Sequence, residues 1–544
     1  MLIRLPMISL FLALSPLLAP PQTSTPCETD RIGHSGGFSG DLAGSRVAAG
    51  GSHILSSAAG MSSTGSFQRG LQLDFFFGGK WISVFGSFGG SGSSLDPFLI
   101  DTDGLITAYV NPQVFTVHLS LNSDLLAQEF QFLPIPPLSN NHFVRDIEIA
   151  GDRVFVLYDV SSSSTFGARL LEYSIPNLSL LSTTAVGPDS VIGLQGPNGA
   201  GIDESGGELA FSNGRLLVGL PGDDTAGVNA GSVHVFDVSA GNPVEIQQIF
   251  PSPALPYGAF GSDLEADATR AIIAARGTTQ PISVGERAFV YRSDASGFSF
   301  EAELDLGATD GSTGISADLE GPVAAIGLPG TENLTLPAPG QVRTFRLDAS
   351  ATWAPDVTFQ AFIPQPGDRF GADVAFLNTD RLVVGMPRDP AQLDERGVAS
   401  VFSLSGNDCA STLMAPNDRW FTGAFPLNID LALNGGMDLA GDLAVCMAST
   451  TAPGAGLLLD GIPIPIAPDA LTFAGLNAPG SLGFNNFFTN LDANGRSEAP
   501  NVFLTNVPSG LFGTELWFTW ISLEIEPANV FVQFAGEARG LTLL

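Results

Sequence analysis

The chain has 544 residues, of which 22 are basic and 55 acidic, so its formal net charge is −33 with the histidines neutral. Such a charge opposes binding to phosphate backbones and anionic lipid head groups, which excludes nucleic acid as an expected partner. The 64 glycines and 38 prolines favour many short strands joined by turns over helices. After the N-terminal region, no apolar run approaches the roughly 20 residues that span a bilayer, so no membrane-spanning segment is expected.

The first residues have the layout of a secretory signal peptide. Arg4 precedes an apolar stretch at residues 5–18, and a segment rich in proline, serine and threonine follows. We therefore expect residues 1–24 to be a signal peptide whose cleavage site is left open. The protein is then expected to be secreted, or to lie at the cell surface or in the periplasm.

A repeated order of strands extends over residues 30–405. The clearest copy has Phe-Gly-Ala-Asp at residues 370–373, an apolar strand ending in Gly-Met-Pro at residues 380–387, and a third strand at residues 397–402. A fixed period of this kind is the mark of a repeat architecture.

The spacing of the copies gives their number. Copies start at Phe370, Ile315, Phe260, Ile202 and Phe143, at intervals of 55 to 59 residues. A weak copy with strands at residues 38–42 and 46–50 lies 105 residues before Phe143, which is room for two units. A degenerate copy is therefore expected near residues 90–135, and the count is seven.

Each unit has three strands and room for a fourth outer strand, such as residues 243–250. Four antiparallel strands repeated radially describe a β-propeller, which protects its edges by closing a ring. The sequence thus predicts an all-β fold with a seven-bladed β-propeller at residues 30–405. A linear β-solenoid is the alternative, but its rungs would be shorter.

The combination of Phe-Gly-x-Asp, Gly-x-Pro and Gly-x-Val-x-Val-Phe resembles the FG-GAP repeat of integrin-α-like seven-bladed propellers. The resemblance implies a role in adhesion or ligand binding, and calcium in turns of the Asp-x-Asp-x-Asp-Gly type. The equivalent turns here, at residues 264–270, 319–322 and 376–381, lack that run of carboxylates. We therefore expect no cofactor and no metal site, with calcium as the ion to test.

A second module is expected at residues 409–544. Candidate strands at residues 427–433, 443–447, 456–459, 515–521 and 529–534, separated by turn-rich segments, favour a β-sandwich. Residues 511–520 resemble the C-terminal module of many secreted, repeat-bearing proteins of planctomycete-type bacteria. Within that stretch, Trp517 and Trp520 are three residues apart and face opposite sides of a strand, so at least one of them is expected in the core.

Three cysteines, Cys27, Cys409 and Cys446, follow the signal peptide. In an oxidising compartment one pair can form a disulfide. We favour Cys409 with Cys446, and Cys27 with Cys409 is the alternative. No Cys-x-x-Cys pattern points to a thiolate metal site.

Candidate functional residues are few. Asp223 and Asp224 follow one Gly-x-Pro strand and Asp389 follows another, so these carboxylates are candidates for ligand-binding loops, against ordinary turn capping. His234 alternates with valines in a strand and is expected to have a structural role. No catalytic residue is predicted, because no nucleophile, base and orienting group stand in a recognisable pattern.

These observations predict an exported, non-catalytic binding or surface-interaction protein that presents loops on a β-propeller. Its partner is expected to be a protein or carbohydrate at the cell surface. A secreted hydrolase or lyase that uses acidic residues on polysaccharide is one alternative. A structural component of the cell envelope is another.

Overall fold

A computed structural model describes most of the chain but not all of it. The described residues are 27–32, 44–51, 53–61, 67–77, 80–88, 99–102, 106–111, 116–123, 126–134, 142–161, 165–175, 179–191, 207–239, 241–278, 284–307, 314–330, 340–361, 369–387, 397–405, 413–414, 419–420, 427–435, 439, 441–452, 457–459, 462–477, 483–493, 496–497, 500–504, 514–526, 529–535 and 538–543. The predicted signal peptide, Asp389 and Cys409 lie outside them.

Strands up to residue 403 form seven four-stranded antiparallel sheets within the described residues. The N-terminal strand is β1 (Cys27–Ile32). Sheet 1 consists of β2 (Arg46–Gly50), β3 (His53–Met61), β4 (Phe67–Phe77) and β5 (Lys80–Phe88). Sheet 2 consists of β6 (Leu99–Thr102), β7 (Ile106–Asn111), β8 (Thr116–Ser123) and β9 (Leu126–Pro134). Sheet 3 consists of β10 (His142–Ala150), β11 (Arg153–Ser161), β12 (Thr165–Ser174) and β13 (Leu180–Val191).

The remaining sheets follow the same order. Sheet 4 consists of β14 (Leu209–Ser212), β15 (Arg215–Leu220), β16 (Ser232–Asp237) and β17 (Val244–Ile249). Sheet 5 consists of β18 (Phe260–Ala266), β19 (Arg270–Ala275), β20 (Arg287–Asp294) and β21 (Gly297–Leu304). Sheet 6 consists of β22 (Ser316–Glu320), β23 (Val323–Leu328), β24 (Gln341–Leu347) and β25 (Trp353–Phe359). Sheet 7 consists of β26 (Val374–Asn378), β27 (Arg381–Met386), β28 (Val398–Ser403) and the N-terminal strand β1.

The sheets are arranged as a closed ring. The first strand of each sheet contacts the first strand of the next, from β2 through β6, β10, β14, β18 and β22 to β26, and β26 contacts β2 again. Sheet 7 takes its outermost strand from the other end of the repeat region, because β1 pairs antiparallel with β28, with Cys27 opposite Ser403. Radial four-stranded sheets closed in this way are the β-propeller architecture.

The two glycine-containing motifs of the repeat meet between neighbouring sheets. The Gly of Gly-x-Pro in one sheet lies against the backbone of the Phe-Gly glycine of the next. A Cβ atom on Gly219 would lie 2.1 Å from the carbonyl oxygen of Gly261, and one on Gly327 would lie 2.2 Å from that of Gly371. At the ring closure, a Cβ atom on Gly385 would lie 2.1 Å from the carbonyl oxygen of Gly44. The repeat motif therefore encodes the close approach of neighbouring sheets.

The phenylalanine of the same motif is buried beside that approach. Phe260 and Phe370 are fully buried. Gly231 and Gly340 form isolated parallel bridges with Phe260 and Phe370. Both glycines have a φ near +80°, a conformation that side chains disfavour.

The described residues after 405 form a second set of sheets with one helix. These elements are β29 (Leu413–Met414), β30 (Arg419–Trp420), β31 (Leu427–Asp430), β32 (Ala432–Asn434), β33 (Leu443–Ser449), β34 (Leu457–Leu459), β35 (Ile462–Ile464), α1 (Ala470–Asn477), β36 (Phe484–Asn485), β37 (Phe488–Asn490), β38 (Arg496–Ser497), β39 (Asn501–Leu504), β40 (Glu515–Glu526), β41 (Asn529–Ala535) and β42 (Arg539–Leu543). The main sheet has six strands, in the order β30-β42-β40-β33-β37, with β41 on β40.

Both faces of the pair β33 and β40 are covered. Cys446, Phe518 and Trp520 pack into one core cluster, and Val445 and Ile521 pack into another on the opposite face. Trp520 is fully buried and Trp517 is partly exposed, which confirms that at least one tryptophan of the pair belongs to the core.

Most predicted strands are confirmed, and two local features differ from the prediction. Residues 46–50 were expected as the second strand of the first unit, but they form its inner strand, since they pair antiparallel with β3, with Gly50 opposite His53, and Gly51 after them has φ 57°. Helix α1 was not predicted. Its N-terminus is capped by Asp469, whose Oδ1 accepts the Leu471 and Thr472 N–H groups while Thr472 Oγ1 accepts the Asp469 N–H.

The close approach of neighbouring sheets gives a first prediction. We expect Gly385→Ala to lower the free energy of unfolding by about 1–3 kcal/mol or more, because the added methyl group has only the Gly44 backbone to displace. Gly222→Ala is the matched control, since a Cβ atom at that exposed position meets nothing within 4 Å. Denaturant unfolding of both variants measures the difference, and equal midpoints would contradict the sheet-contact role.

Candidate functional site

A cavity of about 370 Å³ lies at the centre of the ring and is lined by the inner strands of all seven sheets. Among the described residues, its lining has ten acidic side chains and one basic side chain, Arg46. The acidic side chains are Asp101, Asp146, Glu148, Glu208, Asp263, Glu265, Asp267, Asp318, Glu320 and Asp373. The sheets thus bring together carboxyl groups that are far apart in the sequence.

Several of these carboxyl groups bond the inner strand of the next sheet. The Asp101 carboxylate accepts the Ile149 N–H at 2.6 Å, and the Asp146 carboxylate accepts the Leu209 N–H at 2.7 Å. Further round the ring, Asp263 accepts the Ala317 N–H at 2.8 Å, Asp318 accepts the Phe376 N–H, and Asp373 accepts the Val47 N–H at 2.8 Å. Five of the seven junctions between sheets therefore have a carboxylate link.

These links answer a requirement of the fold. The inner strand of each sheet is an edge strand, whose N–H groups on the cavity side have no strand partner. A buried N–H group without an acceptor costs free energy, so an acceptor must come from a neighbouring sheet. The aspartate at the fourth position of the repeat motif supplies it, within Phe-Gly-x-Asp at Asp263 and Asp373 and within divergent copies at Asp101, Asp146 and Asp318.

Arg46 and four carboxyl groups form one level of the cavity, the Arg46 tier. Its carboxyl groups belong to Asp146, Glu208, Asp263 and Asp373. Arg46 Nη2 donates to Glu208 Oε1 at 2.8 Å, so a side chain of sheet 1 binds one of sheet 4. The Glu208 carboxylate is the main reason that the pKa of Arg46 lies above its usual value.

Burial favours the neutral form of several acids of the Arg46 tier. Burial is the main cause that raises the pKa of Asp146, with Glu208 as the next. Burial also raises the pKa of Asp373 to about 6, although Arg46 opposes the shift. One guanidinium therefore faces four carboxyl groups, of which Asp146 and Glu208 are buried and Asp263 and Asp373 are partly buried.

A second level, the middle tier, has carboxyl groups alone among the described residues. It consists of Asp101, Glu148, Glu265 and Asp318. Glu148 interacts electrostatically with Asp101 and Glu265, and Glu265 interacts with Asp101 and Asp318. Burial raises the pKa of Glu148 and Glu265, and their neighbours in the tier raise it further. Burial also raises the pKa of Asp318 to about 7, against the bonds that it accepts from Phe376 and Leu319.

The predicted loop carboxylates lie outside this cavity. Asp223 accepts Ser232 Oγ at 2.5 Å and the Thr225 N–H at 2.8 Å, and Asp224 accepts the Asn229 N–H at 2.7 Å. Both side chains therefore cap turns of the loop between β15 and β16. Asp389, the third candidate, lies outside the described residues, and a ligand-binding role for the three stays a prediction.

His234 is fully buried beneath this loop. Its Nδ1 lies 3.0 Å from Glu245 Oε1, and its Nε2 lies 3.9 Å from Asp223 Oδ2. Burial of Asp223 acts to raise its pKa, but His234 and the hydrogen bonds from Ser232 and Thr225 hold it below the usual range. The predicted structural role of His234 agrees with these contacts.

The structure has no disulfide among the described residues. Cys446 has a free thiol, buried in the core of the C-terminal sheets, and this burial raises its pKa. Because Cys409 lies outside the described residues and the side chain of Cys27 is not described, the pairing of Cys409 with Cys446, or of Cys27 with Cys409, stays a prediction.

The turns compared with calcium loops have a different construction. Asp267 Oδ1 accepts the N–H groups of Thr269 and Arg270 within its own turn, and its Oδ2 accepts the Gly321 N–H of the next sheet at 2.9 Å. In the equivalent turn of sheet 7, Asn378 Oδ1 accepts the N–H groups of Asp380 and Arg381. These side chains hold turns and join sheets.

Comparisons with known proteins extend to the fold alone. No family model and no curated protein matches the chain. Among solved structures, the WD40 domain of Toxoplasma gondii coronin has 9% identity and a TM-score of 0.41, with 70% of this chain and 86% of that chain covered. The β-propeller domain of the Trilobed protease from Pyrococcus furiosus has 9% identity and a TM-score of 0.37, with coverage of 67% and 97%.

A third solved structure is Chaetomium thermophilum Sqt1 bound to the N-terminus of ribosomal protein L10. It has 10% identity and a TM-score of 0.41, with 66% of this chain and 86% of that chain covered. At such identities the likeness assigns no activity to this chain. No helix in the described part of the chain is long and apolar enough to cross a membrane.

The Arg46 tier gives a second prediction. We expect Arg46→Met to lower the free energy of unfolding by about 3 kcal/mol at pH 8, because it leaves the buried Glu208 carboxylate without its counter-ion. The loss should be smaller at pH 5, where the neighbouring acids whose pKa is raised are protonated. Arg346→Met is the control, since its pair with Asp356 is largely exposed and worth about 0–1 kcal/mol. Equal losses in the two variants would contradict the role of Arg46.

The turns give a third prediction. Addition of a chelator should leave the thermal midpoint of the protein unchanged, because the carboxylates of these turns are already used by backbone N–H groups. Scanning calorimetry with EDTA and with added calcium measures this. A calcium-dependent rise of the midpoint would show instead that the turns hold the ion as in the FG-GAP family.

Proposed function

We propose that this protein is an exported, non-catalytic binding or surface-interaction protein of the FG-GAP type. In this proposal the seven sheets are the blades of a seven-bladed β-propeller, residues 409–544 are a β-sandwich module of the planctomycete type, and residues 1–24 direct export. The partner is a protein or carbohydrate at the cell surface. The composition, the repeat motif and the closed ring support this assignment.

The loop between β15 and β16 carries the proposal. Its buried part is fixed, because Asp223 bonds Ser232 and Thr225, and backbone bonds join Val228 and Asn229 to the segment before β18. Its outer part is open, since Asp224 and Thr225 are exposed and the side chain of Val228 is 38% exposed. A loop fixed from below and open above is a preorganised recognition surface, which lowers the entropy lost on binding.

Binding assays test this surface. The mature protein is immobilised and exposed to cell-surface protein and polysaccharide fractions of its source organism, beside Val228→Arg and Leu181→Arg variants. Leu181 is 51% exposed on the outer strand of sheet 3, so it gives a matched substitution away from the loop. We expect saturable binding that Val228→Arg weakens by about tenfold or more and Leu181→Arg leaves unchanged. Equal binding by both variants, or none by the wild type, would contradict the proposal.

The polysaccharide hydrolase is the second candidate, because carboxyl groups do converge in the central cavity. Their described contacts favour a structural role: they accept inner-strand N–H groups or bind Arg46. A glycosidase needs two carboxyl groups about 5–10 Å apart with access to a sugar. Release of reducing ends by the wild type, lost in Glu265→Gln, would favour this candidate over the binding protein.

A further inference from the structure

The middle tier, defined above as Asp101, Glu148, Glu265 and Asp318, gathers four carboxyl groups at the wall of the central cavity, where Asp318 is buried and the other three are partly buried. Its members come from the inner strands of sheets 2, 3, 5 and 6, so they face one another across the ring. We propose that the middle tier is a proton-binding site that makes the cohesion of the propeller ring depend on pH. In this proposal, the contacts between sheets are most stable while the middle tier is protonated, and they become less stable when it is deprotonated.

The surroundings of the tier supply little compensation. The charged groups on the inner strands packed around it are Arg46 of β2, Asp146 of β10, Asp263 of β18 and Glu320 of β22. Three more lie next to inner strands: Glu208 immediately precedes β14, Asp373 immediately precedes β26, and Asp267 follows β18. Arg46 is the basic member of this set, and its nearest partner is Glu208 in the other tier. Every other group raises the cost of a negative charge in the middle tier.

Protonation is compatible with the links between sheets. A protonated carboxyl group keeps its carbonyl oxygen as an acceptor, so Asp101 can still accept the Ile149 N–H and Asp318 the Phe376 N–H. The hydroxyl oxygen is then the weaker acceptor for the N–H of the following residue, Thr102 or Leu319. The O–H group can also donate to a neighbouring carboxylate. Complete deprotonation keeps the acceptors but places like charges on four inner strands, and their repulsion acts against the closed ring.

The direction of the pH effect follows from the raised pKa values. In the unfolded chain Asp318 loses its proton near its ordinary pKa of 3.8, whereas in the folded protein the pKa is about 7. Between these values the folded protein binds more protons, so a rise in pH shifts the equilibrium towards the unfolded chain. Each retained proton changes that equilibrium about tenfold per pH unit, and the Asp318 contribution ends above about pH 7.

Denaturant unfolding from pH 5 to pH 9 tests the proposal. The variants are Glu265→Gln with Asp318→Asn, which removes two acids and keeps one amide oxygen as an acceptor at each position, and Asp152→Asn as the control. Asp152 lies in the turn between β10 and β11 with 91% of its side chain exposed, so this substitution removes one negative charge from the surface and none from the cavity. We expect the free energy of unfolding of the wild type and the control to fall as the pH rises to about 7. Over the same range, the unfolding equilibrium constant of the double variant should rise at least tenfold less.

The proposal would be overturned if the free energy of unfolding of the wild type did not change with pH. It would also be overturned if that of the double variant changed with pH as steeply as that of the control. Should the double variant fail to fold, Glu265→Gln alone is measured in the same way. A second readout is the infrared absorption of protonated carboxyl groups in the folded protein at pH 7. The band should be present in the wild type and in Asp152→Asn and reduced in Glu265→Gln, and its absence from the wild type would equally overturn the proposal.

Discussion

Each inner strand of the ring has a second strand on one side and the central cavity on the other. The N–H groups on the cavity side need acceptors, and water alone does not join one sheet to the next. Carboxyl groups of the preceding sheet meet this need at Ile149, Leu209, Ala317, Phe376 and Val47. The same bonds thus satisfy an edge strand and connect neighbouring sheets.

The use of carboxyl groups as acceptors has an electrostatic cost in the cavity. Acidic side chains gather where burial and their own repulsion disfavour charge. Arg46 offsets part of that charge through Glu208, and raised pKa values offset more by keeping acids neutral. The carboxyl groups of the central cavity are therefore used largely in contacts between sheets. For this reason the proposed binding surface is the loop between β15 and β16.

Much of the fold could be predicted from the sequence, because the repeat has a fixed period and strong strand patterns. The inner strands at Phe260 and Ile315 and the second strands ending in Gly-x-Pro lie where the motif places them. The outer strand of sheet 7 could not be assigned, since β1 is separated from β28 by the whole repeat region. Helix α1 was missed because its Asp469 cap precedes only eight residues in a strand-rich module.

The site was harder to predict than the fold. The aspartate of the repeat motif was visible in Phe-Gly-x-Asp at Asp263 and Asp373 and in Ile-Ser-Ala-Asp at Asp318, but its acceptor role depends on a backbone N–H some 50 residues away or more. Arg46 stood in a weak copy of the repeat, and nothing nearby in the sequence indicates that it binds Glu208 of sheet 4. Recurrence of an aspartate at the equivalent position in five of the seven sheets was the available signal.

Amide hydrogen exchange at the inner strands tests the carboxylate links most directly. In the wild type, the amides of Leu209 and Ala317 should be protected although they lie on the cavity side of edge strands. In Asp263→Ala, protection of Ala317 should fall while that of Leu209 persists, because Asp146 still bonds Leu209. Rapid exchange of both amides in the wild type, or unchanged protection of Ala317 in the variant, would contradict the account.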